Sequence, residues 1–214
     1  MIKIEYLTCN AFQENTYVLY DDSKECLIID PGVSNTYEET MLKRIIDENG
    51  LKPVGLVNTH CHIDHVLGNR FVADQYDLTL GIHEKDQVML AGVEDRAKAW
   101  GIPYTTSPFP GYFLKEGEVL KFGESELEIR FVPGHAPGHV VFVCHAQGFV
   151  IAGDTLFQGS IGRTDLPYGD FETLDKAIRK ELYSLPDQFV VYPGHGPSTT
   201  IGIEKRTNPF VRIA

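Results

Sequence analysis

Five residues that can bind metals or act in catalysis are grouped in the first third of the chain: His60, Cys61, His62, Asp64 and His65. Imidazole nitrogens and carboxylate oxygens are the donors that zinc and iron sites use. Side chains alternate along an extended segment, so His60 and His62 share one side, while Asp64 and His65 can face a second ion. The grouping predicts a metal site, because a surface cluster without a role would only add repulsion and burial costs.

Three further donors each follow an apolar run and a glycine, and they lie far apart in the sequence: His135, Asp154 and His195. A glycine lets the backbone turn sharply and brings the next side chain to the edge of a sheet. One such pair would be weak evidence. Three of them after a histidine cluster indicate that the same metal site draws on several strand ends.

Short apolar stretches bounded by Gly, Pro, Asp or Asn predict the strands that must position these donors. The predicted strands are residues 2–7, 17–20, 26–29, 54–57, 127–132, 140–143, 149–152 and 189–192. Apolar residues at helical spacing predict helices over residues 36–49 and 171–185, with residues 68–76 and 83–90 as further candidates. This order of elements predicts two sheets packed together with helices outside.

Capping residues mark the ends of the two long helices. Thr36 and Glu39 have the spacing of a capping box, and Gly50 is a stop signal. Asp170 can cap the start of the second helix, and Pro186 ends it.

Residues 101–117 contain three prolines and several aromatic residues, which predicts a surface loop. One interpretation is a loop that a few aromatic side chains pin to the core. The other is an apolar rim over a binding site.

The chain has 214 residues, 30 acidic and 19 basic, and a formal charge of −11. This length fits one domain, residues 1–214, with a core large enough to fold without disulfides. The negative charge argues against nucleic acids and anionic membranes as partners. The start of the chain lacks a signal-peptide pattern, so a cytoplasmic protein is expected, with its four cysteines as free thiols.

The chain resembles the metallo-β-lactamase-fold hydrolases and, among them, the short form of the glyoxalase II branch that lacks a C-terminal helical domain. The resemblance covers nearly the whole chain through residues 15–17, 29–32, 59–65, 134–135, 153–157, 159–165, 193–197 and 208–210. It implies an α+β fold, a four-layer αββα sandwich in which two mixed sheets lie face to face with helices outside.

The resemblance also implies a binuclear centre of two divalent ions, with zinc favoured over iron or manganese. The first ion takes His60, His62 and His135. The second takes Asp64, His65 and His195, and Asp154 bridges both. Asp64 and Asp154 therefore belong to the catalytic centre, and Asp30 matches an aspartate that orients a ligand histidine.

The activity that the resemblance implies is hydrolysis of a small anionic thioester such as S-D-lactoylglutathione by a metal-bridging hydroxide. Arg163 stands where the family has a lysine that contacts glutathione. The alternative for Arg163 is an ion pair with Asp165 or Asp170. Asp165 and Pro197 replace two tyrosines that contact glutathione in the family.

Other activities fit parts of the same pattern. A persulfide dioxygenase, which the stretch of residues 162–165 also resembles, would use one iron on His60, His135 and Asp154. A lactonase would use the full centre, and a non-catalytic metal-binding module would use the ligands alone. A nuclease is disfavoured by the charge.

Overall fold

In the computed structural model, which describes residues 1–213, the chain forms two six-stranded sheets, one two-stranded sheet and seven α-helices. It divides into two compact units. The first comprises residues 1–114 and 121–126, and the second comprises residues 115–120 and the chain from Leu127 onward. The single domain predicted from the sequence stays a prediction.

The first sheet belongs to the first unit and has its strands in sequence order. They are β1 (Lys3–Cys9), β2 (Glu14–Tyr20), β3 (Glu25–Ile29), β4 (Lys52–Val57), β5 (Leu80–His83) and β6 (Tyr112–Leu114). The pairs β1–β2 and β2–β3 are antiparallel, whereas β3–β4, β4–β5 and β5–β6 are parallel. Because parallel strands end at the same edge of a sheet, the segments after β3, β4 and β5 meet there.

The helices of the first unit are α1 (Thr36–Glu48), α2 (Ile63–Val66), α3 (Asn69–Tyr76), α4 (Gln87–Ala91) and α5 (Val93–Trp100), with a 3-10 turn at Glu84–Asp86. The prediction that Thr36 and Glu39 form a capping box is wrong. Asn35 caps α1, because its side chain accepts the Glu38 N–H at 3.1 Å. The buried face of α1 carries Leu42 and Ile46, which join the core of this unit.

The remaining strands are β7 (Val119–Phe122), β8 (Ser125–Phe131), β9 (Val140–Cys144), β10 (Phe149–Gly153), β11 (Leu156–Phe157), β12 (Ser160–Ile161), β13 (Val190–Pro193) and β14 (Thr199–Thr200). The second six-stranded sheet has the order β14-β13-β10-β9-β8-β7, and β11 pairs with β12. β10 runs parallel to β13 and antiparallel to β9, so this sheet is mixed, like the first. The parallel pair brings the ends of β10 and β13 to one edge.

The second unit has the helices α6 (Phe171–Ala177) and α7 (Ile201–Thr207). As predicted, Asp170 caps α6 through its side chain, which accepts the Thr173 N–H at 2.8 Å. The predicted helix over residues 171–185 is shorter as an α-helix, because α6 continues into a π-helical turn, Ile178–Leu182. Leu174, Ile178 and Leu182 are nevertheless buried in the core of this unit, as their spacing indicates.

The sequence pattern missed several short elements. Four of the eight residues of α5 are charged, so it lacks a clear apolar stripe. The predicted loop at residues 101–117 contains β6, and the helix candidate at residues 83–90 begins as the end of β5. Tyr104 and Phe113 pack against the core of the first unit, which supports the pinned-loop interpretation, although Phe109 is 95% exposed. Within residues 1–213, no helix has the length and apolarity that a membrane crossing requires.

Candidate metal centre

The histidine cluster of the first unit lies on the loop after β4 and in helix α2, at the edge where the parallel strands end. His60 and His65 are fully buried, and His62 and Asp64 are 9% exposed. The ring centroids of His60 and His62 are 4.9 Å apart, and those of His60 and His65 are 4.2 Å apart. Nε2 of His65 lies 3.6 Å from Oδ2 of Asp64. Four donor side chains are therefore packed against one another.

Asp30, the residue after β3, holds this loop through hydrogen bonds to its carboxylate. Its carboxylate accepts the Thr59 N–H at 2.7 Å, the Thr59 hydroxyl at 2.6 Å and the His65 Nδ1–H at 3.1 Å. Its backbone is left-handed, with φ +51°. Because Nδ1 of His65 carries the proton, the lone pair of this ring is on Nε2, the nitrogen that faces Asp64. The orienting role predicted for Asp30 depends on its hydrogen bond with Nδ1 of His65.

Glu14 is a second buried carboxyl beside the same histidine, and sequence reasoning missed it. Its Oε1 lies 3.8 Å from Nδ1 of His65, and Thr16 donates a hydrogen bond to its Oε2 at 2.9 Å. Burial raises its pKa well above the usual range, against the opposing effect of His65. The sequence signal available for Glu14 was its position directly before the motif Asn15-Thr16-Tyr17.

Cys61 alternates with the predicted ligand histidines His60 and His62 and faces the core. It is fully buried within the apolar core of the first unit. Burial, with the nearby charges of Asp86 and Asp30, raises its pKa well above the usual range. A thiol in this state is inert as a nucleophile.

In the second unit, Asp154 lies between two of the predicted histidines. Its Oδ2 is 3.5 Å from Nε2 of His135 and 3.5 Å from Nε2 of His195. Nδ1 of His135 donates to the carbonyl oxygen of Arg163 at 2.7 Å, which leaves the lone pair on Nε2. Nε2 of His139 accepts the backbone N–H of Asp154 at 3.0 Å, so this histidine helps to position the loop.

Close packing and glycine geometry fix these donors. Gly134 and Gly153, two of the three glycines that precede a donor, have positive φ angles of +124° and +48°. A Cβ atom at Gly162 would stand 1.9 Å from the carbonyl oxygen of Asp154 and 2.9 Å from Nδ1 of His135. The backbone approach at Gly162 therefore requires a residue without a side chain.

The donors of each unit fit a metal ion. Three nitrogen–oxygen pairs are 3.5–3.6 Å apart: Asp64 with His65, and Asp154 with each of His135 and His195. This separation is longer than a hydrogen bond between such groups. Two ligands on a tetrahedral ion with bonds of about 2.0–2.2 Å stand roughly 3.4 Å apart. The observed separations match this value, and the nitrogen–oxygen donor set suits zinc, iron or manganese.

Arg163 forms the ion pair that the sequence left open, and its partner is Asp165. Nε and Nη2 of Arg163 bind the two carboxylate oxygens of Asp165 at 2.8 and 2.7 Å. Both side chains are largely exposed. The pair lowers the pKa of Asp165 to about 2, so it stays ionised at neutral pH.

Comparison with known proteins identifies the family of the chain. Residues 9–195 match the model of the metallo-β-lactamase superfamily. The chain belongs to the metallo-β-lactamase superfamily. It is 40% identical to the hydroxyacylglutathione hydrolase GloC of Haemophilus influenzae over 98% of each chain.

Two solved structures show the same fold over nearly their whole length. The BLEG-1 B3 metallo-β-lactamase is 34% identical, with a TM-score of 0.88 over 99% of each chain. TTHA1623 in a di-iron-bound form is 38% identical, with a TM-score of 0.86 over 96% of this chain and 99% of that one. The predicted α+β metallo-β-lactamase fold with two mixed sheets is confirmed. The predicted enzyme class, a metal-dependent hydrolase, is confirmed as well.

Proposed function

We propose that the protein is a binuclear metallohydrolase that cleaves a small anionic thioester of the hydroxyacylglutathione type. The observation that carries this proposal is the position of Asp154, whose Oδ2 is equally far from His135 and His195. The resemblance assigns these two histidines to different ions. A carboxylate oxygen placed in this way suits a ligand that bridges two metals.

The proposed ligand set is the one that the resemblance implies. His60, His62 and His135 would hold the first ion, Asp64, His65 and His195 would hold the second, and Asp154 would bridge them. When bound, such a pair of divalent ions supplies hydroxide at neutral pH and a Lewis acid for the substrate carbonyl oxygen.

The residues around the ligands orient them for this role. Asp30 fixes the tautomer of His65, and the carbonyl oxygen of Arg163 fixes that of His135. The hydrogen bond from the backbone N–H of Asp154 to Nε2 of His139 fixes the backbone of the residue proposed as the bridging ligand. These hydrogen bonds hold the donors before the substrate arrives, so little reorganisation is needed during the reaction.

A thioester suits the chemistry that the chain offers. A thiolate is a good leaving group, so neither a protein nucleophile nor a strong general acid is required. The four cysteines are buried free thiols, and burial raises the pKa of each one, so they are poor nucleophiles. The relative named hydroxyacylglutathione hydrolase supports a substrate in which the thiol is glutathione.

A substrate panel tests the proposal. Protein loaded with zinc, iron(II) or manganese(II) is assayed on S-D-lactoylglutathione, on a lactoyl thioester of a small neutral thiol, on the oxygen ester and on a lactone. We expect the glutathione thioester to give the highest kcat/KM. A preference for the lactone would contradict the thioester assignment. Oxygen uptake with glutathione persulfide, in place of hydrolysis, would indicate the dioxygenase instead.

A further inference from the structure

Asp86 is a buried carboxylate that the proposed ligand set does not use. It ends the 3-10 turn after β5 and is fully buried. Its Oδ2 accepts the backbone N–H of Cys61 at 2.6 Å, and the Cys61 thiol also forms a hydrogen bond to it. Cys61 stands between His60 and His62 in the sequence. The carboxylate therefore holds the stretch of backbone that joins two ligands.

The topology of the first sheet explains how a residue 25 positions away reaches this loop. β5 is the parallel neighbour of β4, so the turn after β5 arrives at the same sheet edge as the ligand loop after β4. A backbone N–H bonded to an ionised carboxylate makes a shorter and stronger hydrogen bond than one bonded to a neutral acceptor. The ligand loop is thus held on both sides, by Asp30 at Thr59 and by Asp86 at Cys61.

A positive charge also acts on the Cys61 thiol. Arg96, on α5, lowers the pKa of the Cys61 thiol, whereas Asp86 raises it. Its Nη2 donates to the carbonyl oxygen of Met89 at 2.5 Å, which anchors the guanidinium inside the unit. Burial of a charge is costly unless a counter-charge or hydrogen bonds compensate it. A carboxylate kept at this position therefore has a specific contact to maintain.

We propose that Asp86 is a positioning residue that sets the spacing and direction of His60 and His62. Any shift of the peptide at Cys61 moves both histidines, whose ring centroids are 4.9 Å apart. Asp86 thereby determines how tightly the ligand loop binds metal. This inference rests on the proposed metal centre but not on the identity of the substrate.

The experiment compares Asp86→Ala and Asp86→Asn with a matched control, Asp21→Ala. Asp21 is also a buried aspartate of the first unit, and it accepts the backbone N–H groups of Ser23 and Glu124. Zinc affinity is measured by competition with a chromophoric chelator. The melting temperature (Tm) of each protein is measured after chelator treatment and again with zinc. The zinc-induced rise in Tm reports affinity independently of the stability of the metal-free protein.

We expect Asp86→Ala to weaken zinc binding by about 10- to 100-fold, the usual effect of losing a residue that supports a ligand. Asp86→Asn keeps an oxygen acceptor, so its loss should be smaller, about 3- to 10-fold. Asp21→Ala should lower both melting temperatures alike and leave the affinity within about twofold.

The inference is overturned if Asp86→Asn and folded Asp86→Ala bind zinc within about twofold of the wild type, or if Asp21→Ala weakens binding as much as they do. Should Asp86→Ala fail to fold, Asp86→Asn decides by the same criterion. A wild-type protein that binds zinc but hydrolyses no thioester would remove the proposed function and leave this inference intact.

Discussion

The two units support their predicted metal donors by different means. In the first unit the predicted donors lie on one continuous segment, the loop after β4 and helix α2, and buried carboxylates hold that segment: Asp30 bonds Thr59 and His65, and Asp86 bonds Cys61. In the second unit the donors follow separate strand-like runs. There His135 donates to a backbone carbonyl oxygen, and close backbone packing at Gly162 fixes the surroundings of Asp154.

This difference predicts that the two units respond to different kinds of substitution. Charge-assisted hydrogen bonds to buried carboxylates are strong, and leaving one partner unpaired is costly. Supports of the first unit should therefore respond to changes of charge. Supports of the second unit consist of space and backbone geometry, so they should respond to added volume.

Among single substitutions in either unit, Asp154→Asn should have the largest effect. An amide cannot supply two anionic oxygens, so at least one metal should be lost and kcat/KM should fall by about 1,000-fold or more. Steady-state kinetics and elemental analysis of the same sample measure both quantities. Two bound metals with full activity in this variant would contradict the assignment of Asp154 as a bridge.

Gly162→Ala tests the dependence of the second unit on space. The added methyl group would collide with the carbonyl oxygen of Asp154 and press on His135. A displacement of the donors by about 1 Å should lower kcat roughly 100-fold. Gly159→Ala is the matched control, because a Cβ there meets no atom within 4 Å although its φ is +68°. It should cost about 1 kcal/mol of stability through strain and keep the activity. Equal activity losses in the two variants would argue against a steric role for Gly162.

The sequence carries local signals for the predicted donors but not for their supports, and the reason is physical. Donors occur next to local signals: alternation in residues 60–65 and a glycine before His135, Asp154 and His195. The support from Asp86 to Cys61 spans 25 residues and depends on β5 and β4 being neighbours. β5 has four residues, and its pattern does not reveal its partner. Asp30 was found only because a family motif marks it.

Asp21 offers a test of charge dependence in the first unit away from the metal loop. Burial tends to raise its pKa, but hydrogen bonds from Ser23 and Ser125 prevail and lower it to about 2. A lowered carboxyl pKa stabilises the fold above its unfolded value and loses that effect as the pH falls from about 4 to 2. Wild type should exceed Asp21→Asn by about 2 kcal/mol in the free energy of unfolding at about pH 6.

The measurement is urea denaturation of chelator-treated proteins between about pH 6 and pH 2. Removing metal beforehand ensures that its release at low pH plays no part. The difference between the two proteins should shrink as the pH falls and be nearly absent at about pH 2. A difference that stays constant over this range would mean that the carboxylate charge of Asp21 is not what stabilises its contacts with Ser23, Glu124 and Ser125.

Asp165→Asn should have the smallest effect, and it concerns the substrate rather than the fold. Asp165 neutralises Arg163 through two hydrogen bonds on an exposed surface of the second unit. Removing its charge leaves the guanidinium available to an anionic thioester, so KM should fall about threefold at low ionic strength and return toward the wild-type value in about 0.5 M salt. Arg163→Ala should show no such gain, and Tm should change little in either variant, because exposed ion pairs contribute little to stability. If KM is unchanged in Asp165→Asn at every salt concentration, Arg163 does not contact the substrate. The surface pair would then be a local structural feature, and recognition of the anion would fall to the metal centre alone.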